Sequence, residues 1–379
     1  MRFLQIGDLH IGKSVNGYSM KEDLKYALEQ VYSYIDEYKP DGILLCGDIY
    51  DKSLPSTEAV RELDEVIDTL VGKGVEVYMI SGNHDSAYRL AFAQNILSRQ
   101  GVYMSGAYEG TVKCIHKEDE YGDLNIYLLP FVRPVQVREA IAAKGNHGDE
   151  ISTYNDALNY VLSHIDTDKS ARNIILSHQF ISGSKKSDSE EITIGGLDEV
   201  NASAYDAFDY AALGHLHRPQ QVTRPTIRYG GTLCAFSFSE RDDGKSVVLI
   251  DCLADKEPTI ELLPIKPRKR WVQIRATLDE MLAMDETDDY IQAVITDNGP
   301  VVDAVSRLKS GPFPNLMETV FEWVDHEIEH RFSEEDAKAI LNLTPVELFE
   351  SFYAEMTGEE PDQTVSDRIR AIYEEVRQG

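Results

Sequence analysis

The chain has 379 residues, 42% hydrophobic and 27% charged, which is the composition of an ordinary globular protein long enough for more than one core. Its 37 Lys and Arg stand against 66 Asp and Glu, and this net charge of −29 argues against broad, non-specific binding to nucleic acid. It does not exclude a nucleic-acid cleft, because bound divalent cations reverse the local sign of a carboxylate-rich site.

Two features of the sequence predict where in the cell the protein is located. No charged leader with an apolar region precedes the first strand-like run, and no segment approaches the ~18 uninterrupted apolar residues of a membrane span. The four cysteines, which show no CxxC spacing, are Cys46, Cys114, Cys234 and Cys252. We expect them to be buried and reduced, and we expect a cytoplasmic protein.

Short apolar runs alternate with amphipathic stretches through about the first 250 residues. The runs that predict buried strands are RFLQI (2–6), DGILLCG (41–47), VEVYMIS (75–81), LNIYLLP (124–130), RNIILSH (172–178) and SVVLID (246–251). Apolar residues at three- and four-residue spacing predict helices over 20–38, 56–74 and 87–101. This rhythm predicts an α/β fold.

The composition changes at the basic segment KPRKR (266–270). A strand, the helix-like DEMLAMDE and a second strand follow, and they predict a small α+β domain over 266–325 after a main domain over 1–265. The remaining segment, 326–379, has two amphipathic stretches, SEEDAKAIL and TPVELFESFYAEMTG, each opening with a capping Ser or Thr. We interpret it as a linker with C-terminal helices.

Polar turns follow five of the predicted strands. They supply Asp8 and His10 (GDLH), Asp48 and Asp51 (GDIYD), Asn83, His84 and Asp85 (GNHD), His178 (LSH), and His215 and His217 (GHLH). In open α/β sheets, sites lie outside the carboxyl ends of the strands, so these turns can converge. One GD or GN turn is usually structural, but five in order, each with a metal-capable side chain, predict one site.

The pair His215 and His217 illustrates why the whole set matters. An isolated HxH is more often two unrelated surface histidines. If the run YAALG before it continues as a strand, alternation points both rings to the same side. They would then form a two-pronged imidazole clamp.

Seven of these groups predict a two-metal site: Asp8, His10, Asp48, Asn83, His178, His215 and His217. Carboxylate, amide and imidazole ligands without thiolate suit manganese, iron or zinc. Seven ligands are too many for one four-coordinate ion but suit two ions that share a bridging carboxylate. Such pairs clamp the attacking and leaving oxygens of a phosphoryl displacement, which predicts phosphoester hydrolysis.

Two further residues of the GNHD turn have predicted catalytic roles. His84 cannot easily share a coordination direction with Asn83, so we expect it to protonate the leaving oxygen or stabilise charge. Asp85 is expected either to orient His84 or to cap the helix predicted at 87.

The ordered motifs GDLH, GDIYD, GNHD, LSH and GHLH resemble those of the calcineurin-like metallophosphoesterase superfamily. Within it, GDLHIGK, DKSLPS and LTPVELFESFYAEMTGEEPD resemble the family of SbcD-type nuclease subunits of bacteria, over nearly the whole chain. The resemblance implies a four-layer sandwich of two mixed β-sheets flanked by helices, and two Mn²⁺ ions. It implies Asp8, His10 and His217 on one ion, Asn83, His178 and His215 on the other, and Asp48 as the bridge.

The same resemblance implies a metal-dependent DNA nuclease, a 3′–5′ double-strand exonuclease and single-strand or hairpin endonuclease in end processing, repair, recombination and replication. An SbcC-type ATPase would be its partner, since the chain has no GxxxxGK[ST] motif of its own. It also implies a homodimer through helices of the nuclease domain, and a DNA-admitting capping role for 266–325.

Several alternatives stay open. KPRKR either touches a DNA backbone or is a solvated linker. The tail stripe either docks on the ATPase or packs on the body, and it contains Leu348, Phe349, Phe352, Tyr353 and Met356. The rival functions are a small-substrate phosphodiesterase or protein phosphatase, and a non-catalytic scaffold. A scaffold should have lost some of the seven predicted ligands, and this sequence has lost none of them.

Overall fold

The computed structural model describes residues 1–148, 150–190, 199–253 and 257–322, and the single positions 346, 348, 349, 353, 361, 365, 366 and 368. The strands are β1 (Arg2–Ile6), β2 (Ser14–Val15), β3 (Tyr18–Ser19), β4 (Gly42–Leu45), β5 (Glu76–Ile80), β6 (Val102–Ser105), β7 (Lys113–Asp119), β8 (Gly122–Leu128), β9 (Arg172–His178), β10 (Phe180–Ile181), β11 (Glu199–Val200), β12 (Tyr210–Gly214), β13 (Gln220–Val222), β14 (Arg224–Tyr229), β15 (Ser246–Asp251), β16 (Thr259–Pro264), β17 (Trp271–Ala276), β18 (Tyr290–Ile295) and β19 (Leu316–Phe321). The helices are α1 (Lys21–Tyr38), α2 (Thr57–Gly72), α3 (Ala87–Leu90), α4 (Gln94–Leu97), α5 (Pro134–Ala143), α6 (Tyr154–Ser163), α7 (Leu278–Leu282) and α8 (Ala304–Lys309).

Two six-stranded mixed sheets form the centre of the fold. The first has the order β16-β15-β1-β4-β5-β6 and the second the order β13-β14-β12-β9-β8-β7. In the first, β1, β4, β5 and β6 are parallel, and β15 and β16 run antiparallel at one edge. In the second, β14, β12, β9 and β8 are parallel, with β13 and β7 antiparallel at the edges. The predicted α/β class with two mixed sheets is confirmed.

Side-chain alternation along each strand separates the layers. In β1, Phe3 belongs to the apolar cluster shared by the two sheets, whereas Leu4 and Ile6 belong to the cluster shared with α1 and α2. A third cluster joins the second sheet to α5 and α6, through residues such as Val137 and Leu158. The layers are therefore helices, sheet, sheet and helices, as predicted.

The helix predicted over 87–101 is wrong as a single element. The chain forms α3 and α4, two short helices separated by Ala93 in the left-handed region with φ 59°. Phe92 and Ile96, which contribute to the helical periodicity of the sequence, are 80% and 66% exposed. Because no core holds that face, the periodicity does not reflect burial.

The described chain divides into two compact units. The first contains Met1–Gln273, Glu286–Gln292 and Phe313–Glu318, and the second contains Ile274–Asp285, Ala293–Pro312 and Thr319–Gly379. All predicted metal and catalytic residues belong to the first unit. The predicted boundaries at 265 and 325 stay predictions.

The strands and helix predicted after KPRKR are present as β17, α7 and β18. The strand order β17-β18-β19 forms a three-stranded sheet. Thr277 caps α7, since its side chain accepts a hydrogen bond from the Glu280 N–H and the Glu280 carboxylate accepts one from the Thr277 N–H.

The basic segment 266–270 is fastened by ion pairs inside the first unit. The pairs are Arg268–Asp23 at 3.0 Å, Lys269–Asp288 at 2.7 Å and Arg270–Asp289 at 2.6 Å. Three of its four charges therefore already have acidic partners. The segment is not the free linker that its composition suggests, and its cations are less available to DNA than expected.

The predicted tail stripe lies largely outside the described residues, and only Leu348, Phe349 and Tyr353 of it are described. Among the described parts of the chain, we find no helix with the length and apolar character needed to cross a membrane. All four cysteines are described and free. Cys46 and Cys252 are buried, as predicted, whereas Cys114 and Cys234 are partly exposed, so the expected burial is wrong for these two.

Candidate metal centre

The five polar turns meet beyond the ends of β1, β4, β5, β9 and β12, and glycines let them approach closely. Gly47 has a φ of 101°, and a Cβ there would lie 2.3 Å from Nδ1 of His178. A Cβ on Gly82 would lie 2.0 Å from Oδ1 of Asp48. Glycine precedes the Asp and the Asn of these turns because a side chain at that position would clash with the site.

One group of side chains forms around Asn83. Its Oδ1 lies 3.0 Å from Nε2 of His178 and 3.0 Å from Nδ1 of His215. On the far side of the His178 ring, Nδ1 lies 2.8 Å from the Cys46 carbonyl oxygen. Because a carbonyl only accepts, Nδ1 carries a proton, and in the neutral ring the lone pair of Nε2 faces Asn83.

A second group contains His10 and His217. Their Nε2 atoms lie 3.1 Å apart. His10 is buried, and its Nδ1 has no hydrogen-bond partner in the described part of the chain. Oδ1 of Asp51 lies 3.7 Å from this nitrogen, which is too far for a hydrogen bond.

Of the two buried carboxylates, Asp48 connects these groups, whereas Asp8 contacts the first group. Oδ2 of Asp48 lies 3.4 Å from Nε2 of His178 and 3.9 Å from Nε2 of His10, so Asp48 reaches both groups. Oδ1 of Asp8 lies 3.4 Å from Nδ1 of His178 and accepts a hydrogen bond from the His215 N–H at 2.9 Å.

The electrostatics of the site fit cations. Burial, with the Asp48 charge adding to it, raises the pKa of Asp8 to about 7. Burial alone would lower the pKa of His178, yet Asp48 and Asp8 raise it to about 9. In addition, Nε2 of His178 faces two oxygen acceptors, one each from Asn83 and Asp48. A positive charge between the Asp8 and Asp48 carboxylates would relieve their mutual repulsion. Divalent ions suit this set of oxygen and imidazole donors.

Two sets of ligand atoms each lie within 4.8 Å of one another. They are Asp8 with Asp48 and His178, and His10 with Asp51 and His84. Asp51 was not among the predicted ligands, and Nζ of Lys13 lies 2.7 Å from its Oδ1. An ion at that carboxylate would have to compete with this ion pair.

Three predicted ligands have backbones in or near the left-handed region: His10 with φ 47°, Asp48 with φ 42° and His215 with φ 102°. Such conformations are costly for residues with a Cβ and cluster at functional sites. β12 ends at Gly214, so His215 and His217 lie beyond the strand. The expectation that strand alternation sets their direction is therefore wrong; His215 contacts Asn83, whereas His217 contacts His10.

His84 lies beside the Asp48 carboxylate. Its N–H donates to Oδ1 of Asp48 at 2.9 Å, and its ring Nδ1 donates to the Asp51 carbonyl at 3.0 Å. The remaining ring nitrogen, Nε2, lies 3.9 Å from Oδ2 of Asp48. This atom is free to exchange a proton with, or donate to, a group entering the site.

Asp85 braces the backbone of the turns. Its carboxylate accepts hydrogen bonds from Ile49 N–H at 3.0 Å, Tyr50 N–H at 2.9 Å and Gly82 N–H at 2.9 Å. The Asp51 carbonyl, not Asp85, thus holds the His84 ring. The N-cap position of α3 is Ser86, so the capping alternative for Asp85 is also wrong.

Two aromatic residues that the sequence reasoning missed flank His215. The Phe131 ring stacks at 6.4 Å and 17° and the Phe180 ring lies at 6.2 Å. The Arg133 guanidinium lies 5.3 Å from the Phe131 ring, and the Lys186 ammonium lies 4.0 Å from the Phe180 ring. Since both rings follow β8 and β9, the strand-end rule could have found them.

The sequence profile of the calcineurin-like phosphoesterases matches residues 1–219. The chain belongs to the calcineurin-like phosphoesterase family. Over 380 aligned residues, 98% of each chain, it is 30% identical to the D subunit of the nuclease SbcCD from Staphylococcus epidermidis. The resemblance to SbcD-type subunits is thereby confirmed.

Two solved structures are also similar. A dimetal phosphatase from Danio rerio is 15% identical, with a TM-score of 0.43 over 70% of this chain and 99% of its own. The protein TT1561 of Thermus thermophilus is 12% identical, with a TM-score of 0.39 and the same two coverages.

Proposed function

We propose that this chain is the nuclease subunit of a DNA end-processing complex and hydrolyses phosphodiester bonds of DNA at two divalent metal ions. The observation that carries the proposal is the convergence of seven metal-type side chains at the strand ends. Similarity to the D subunit of the nuclease SbcCD over 98% of each chain supports the substrate class. The specific activities are 3′–5′ exonuclease on double strands and endonuclease on single strands and hairpins, in repair, recombination and replication.

We propose Mn²⁺ as the metal, which the oxygen and imidazole donors suit. Asp8, His10 and His217 would hold one ion, Asn83, His178 and His215 the other, and Asp48 would bridge. The contacts of Asn83 with two histidines, and of His10 with His217, support this grouping. When bound, such a pair supplies Lewis-acid stabilisation of the attacking and leaving oxygens.

His84 is proposed as the residue that protonates the leaving oxygen or stabilises the charge that develops. Its Nδ1 is occupied by the Asp51 carbonyl, so only Nε2 remains for a substrate. This role suits a histidine that lies beside the ligands without taking part in their contacts. We propose that Asp85 assists by holding the turns that carry Asp48 and His84.

The rim around His215 supplies contacts for a nucleic-acid backbone. Arg133 and Lys186 are both exposed, and each lies over an aromatic ring that faces His215. In a chain of net charge −29, cations positioned beside the ligands offset the repulsion that DNA phosphates meet elsewhere. Supported by these contacts, both residues are proposed to bind phosphates next to the scissile one.

A homodimer is proposed through an apolar patch on the nuclease domain, formed by Leu54, Tyr88, Phe92 and Ile96. All four side chains are exposed. Arg89 ties α3 to the 51–54 loop, because its guanidinium donates to the Ser53 carbonyl at 3.0 Å. Several exposed apolar side chains on neighbouring short helices are typical of an association surface.

The other proposed partners and regions rest on the resemblance. An SbcC-type ATPase would bind the C-terminal helices; Leu348 and Phe349 are exposed, in keeping with such a role. Residues 266–325 are proposed as the capping domain that helps admit DNA. A cytoplasmic location is proposed, in keeping with four free thiols.

A cleavage assay with and without the ATPase tests the proposal. The purified chain, loaded with Mn²⁺, is given duplex DNA, hairpin DNA and bis-p-nitrophenyl phosphate, with His84→Gln as the matched variant. Cleavage of DNA that requires Mn²⁺ and His84 would support the nuclease. Hydrolysis of the small diester with DNA untouched would point to a small-substrate phosphodiesterase, and two-ion binding without any hydrolysis to a scaffold.

A further inference from the structure

The ring of His217 is held from the side opposite His10. Its Nδ1 lies 2.6 Å from Oγ of Ser189, and that hydroxyl also hydrogen-bonds Oε1 of Glu240. A carboxylate only accepts, so the serine proton goes to Glu240 and Oγ accepts from the Nδ1–H of His217. The chain of contacts therefore leaves the lone pair of His217 on Nε2, the atom that faces His10.

Glu240 is itself fixed by a buried lysine. Glu240 is 1% exposed, Lys245 is 8% exposed, and Nζ of Lys245 lies 2.6 Å from Oε2 of Glu240. Lys245 also donates to the His217 carbonyl at 2.9 Å and to Oγ1 of Thr232 at 2.9 Å. An ammonium has three donors, and all three are used, so the pair is fully hydrogen-bonded despite burial. The buried ion pair with Lys245 favours the carboxylate form of Glu240, whose oxygen accepts the hydrogen bond from Ser189.

The main chain of His217 is held by the same segment as its ring. Its N–H donates to Oε1 of Glu190 at 2.7 Å, and the other oxygen of Glu190 accepts from the Ser187 N–H. Residues 187–190 thus fix the peptide of His217 as well as its imidazole. The segment therefore controls where Nε2 points.

We propose that Ser189 is a positioning residue of the metal centre: with Glu240 it fixes the tautomer and ring orientation of His217 and so strengthens the ion that His217 holds. This inference rests on the proposed two-ion site. A hydrogen bond to the non-ligating nitrogen of a ligand histidine typically changes metal affinity by about 10- to 100-fold. The geometry assigns the effect to one ion, because Ser189 contacts His217 alone among the seven ligands in the described contacts.

Mn²⁺ titration followed by EPR, which counts free and bound ions, tests the assignment on the full chain. Ser189→Ala should weaken one of two binding events by about 10- to 100-fold and leave the other unchanged. Ser189→Thr, which keeps a hydroxyl, should restore it. Ser182→Ala is the matched control, because it removes an exposed serine–glutamate hydrogen bond, to Glu199 at 2.7 Å, in the same region.

A second readout is the histidine tautomer in the metal-free protein. NMR of ¹⁵N-histidine-labelled protein should show the His217 ring protonated at Nδ1 in the wild type and in Ser189→Thr, and a shift of that ring in Ser189→Ala. The rings of His84 and His178, whose Nδ1 atoms face carbonyl oxygens, should not shift. This readout does not depend on activity. The His217 ring signal would also stay unchanged if Ser189 merely contributed to the stability of the fold.

The outcomes separate the inference from the proposed function. Affinities for both ions that are unchanged from the wild type in Ser189→Ala, or loss of both ions together with a lower Tm, would overturn the positioning role while the two-ion site stands. A wild-type chain that binds fewer than two ions would overturn the proposed function, and the inference with it.

Discussion

Replacing Gly82 by alanine tests how tightly the turns of the metal centre must pack. The new Cβ would lie 2.0 Å from Oδ1 of Asp48 and 2.4 Å from the Asp48 backbone nitrogen. Non-bonded carbon and oxygen approach to roughly 3.3 Å, so the two groups must separate by about 1.3 Å. A rotation of the Asp48 side chain cannot relieve the backbone clash. Since a displacement of ~1 Å typically costs about 10²-fold in rate, we expect at least that loss.

Metal analysis and a small substrate provide the assay. Gly82→Ala, loaded with Mn²⁺ and desalted, should retain fewer than two ions and hydrolyse bis-p-nitrophenyl phosphate at least about 100-fold more slowly. Gly72→Ala is the control, because a Cβ there meets nothing within 4 Å and the residue ends α2. It should keep both ions and match or slightly exceed the wild-type Tm. Two bound ions and near wild-type rate in Gly82→Ala would refute the steric reasoning.

The remaining predictions concern the catalytic role of His84, the backbone contacts of Asp85, the bound metal, and the cations Arg133 and Lys186 near His215. His84→Gln should keep two ions yet lose about 10²- to 10⁴-fold in rate, and loss of an ion by elemental analysis would contradict its role. Asp85→Asn should leave at least one of three backbone N–H groups unpaired and lower the free energy of unfolding by about 1–3 kcal/mol in urea; an unchanged midpoint would count against the brace. EDTA should lower the Tm of the wild type, because the buried carboxylates then repel, and an unchanged Tm would argue against bound ions. Arg133→Ala and Lys186→Ala should each weaken DNA binding and flatten its dependence on log[salt] by about one unit, with hydrolysis of the small diester retained.

Much of the centre could be predicted because its information is local in sequence. Each proposed ligand follows a run that reads as a buried strand, and parallel strands deliver their carboxyl ends to one edge. The residue types then restrict the chemistry, since Asp8, Asn83 and His178 offer oxygen and imidazole donors without thiolate. Fold class, turn positions and ligand types follow from these two facts together.

The roles inside the turns could not be predicted, because they depend on backbone direction. Asp85 follows His84 directly, which suggested an orienting contact, yet its carboxylate points back toward the peptide N–H groups of Ile49, Tyr50 and Gly82. The neighbouring residues in the sequence do not show whether a carboxylate contacts a side chain or the main chain. The same holds for Ser189, which lies 28 residues from His217 in the chain but 2.6 Å from its ring.

The total charge of the chain is similarly a poor guide to what its site can bind. A net charge of −29 argued against nucleic acid, and KPRKR stood out as the main basic segment. In the structure, Arg268, Lys269 and Arg270 have acidic partners, whereas Arg133 and Lys186 lie over rings beside His215, a proposed ligand. Phosphates respond to the local potential within about a Debye length, roughly 8 Å at physiological salt, so the cations near the ligands count for more than the sum over the chain. An acidic surface then disfavours non-specific association, and we propose the rim as the place where a DNA backbone is accepted.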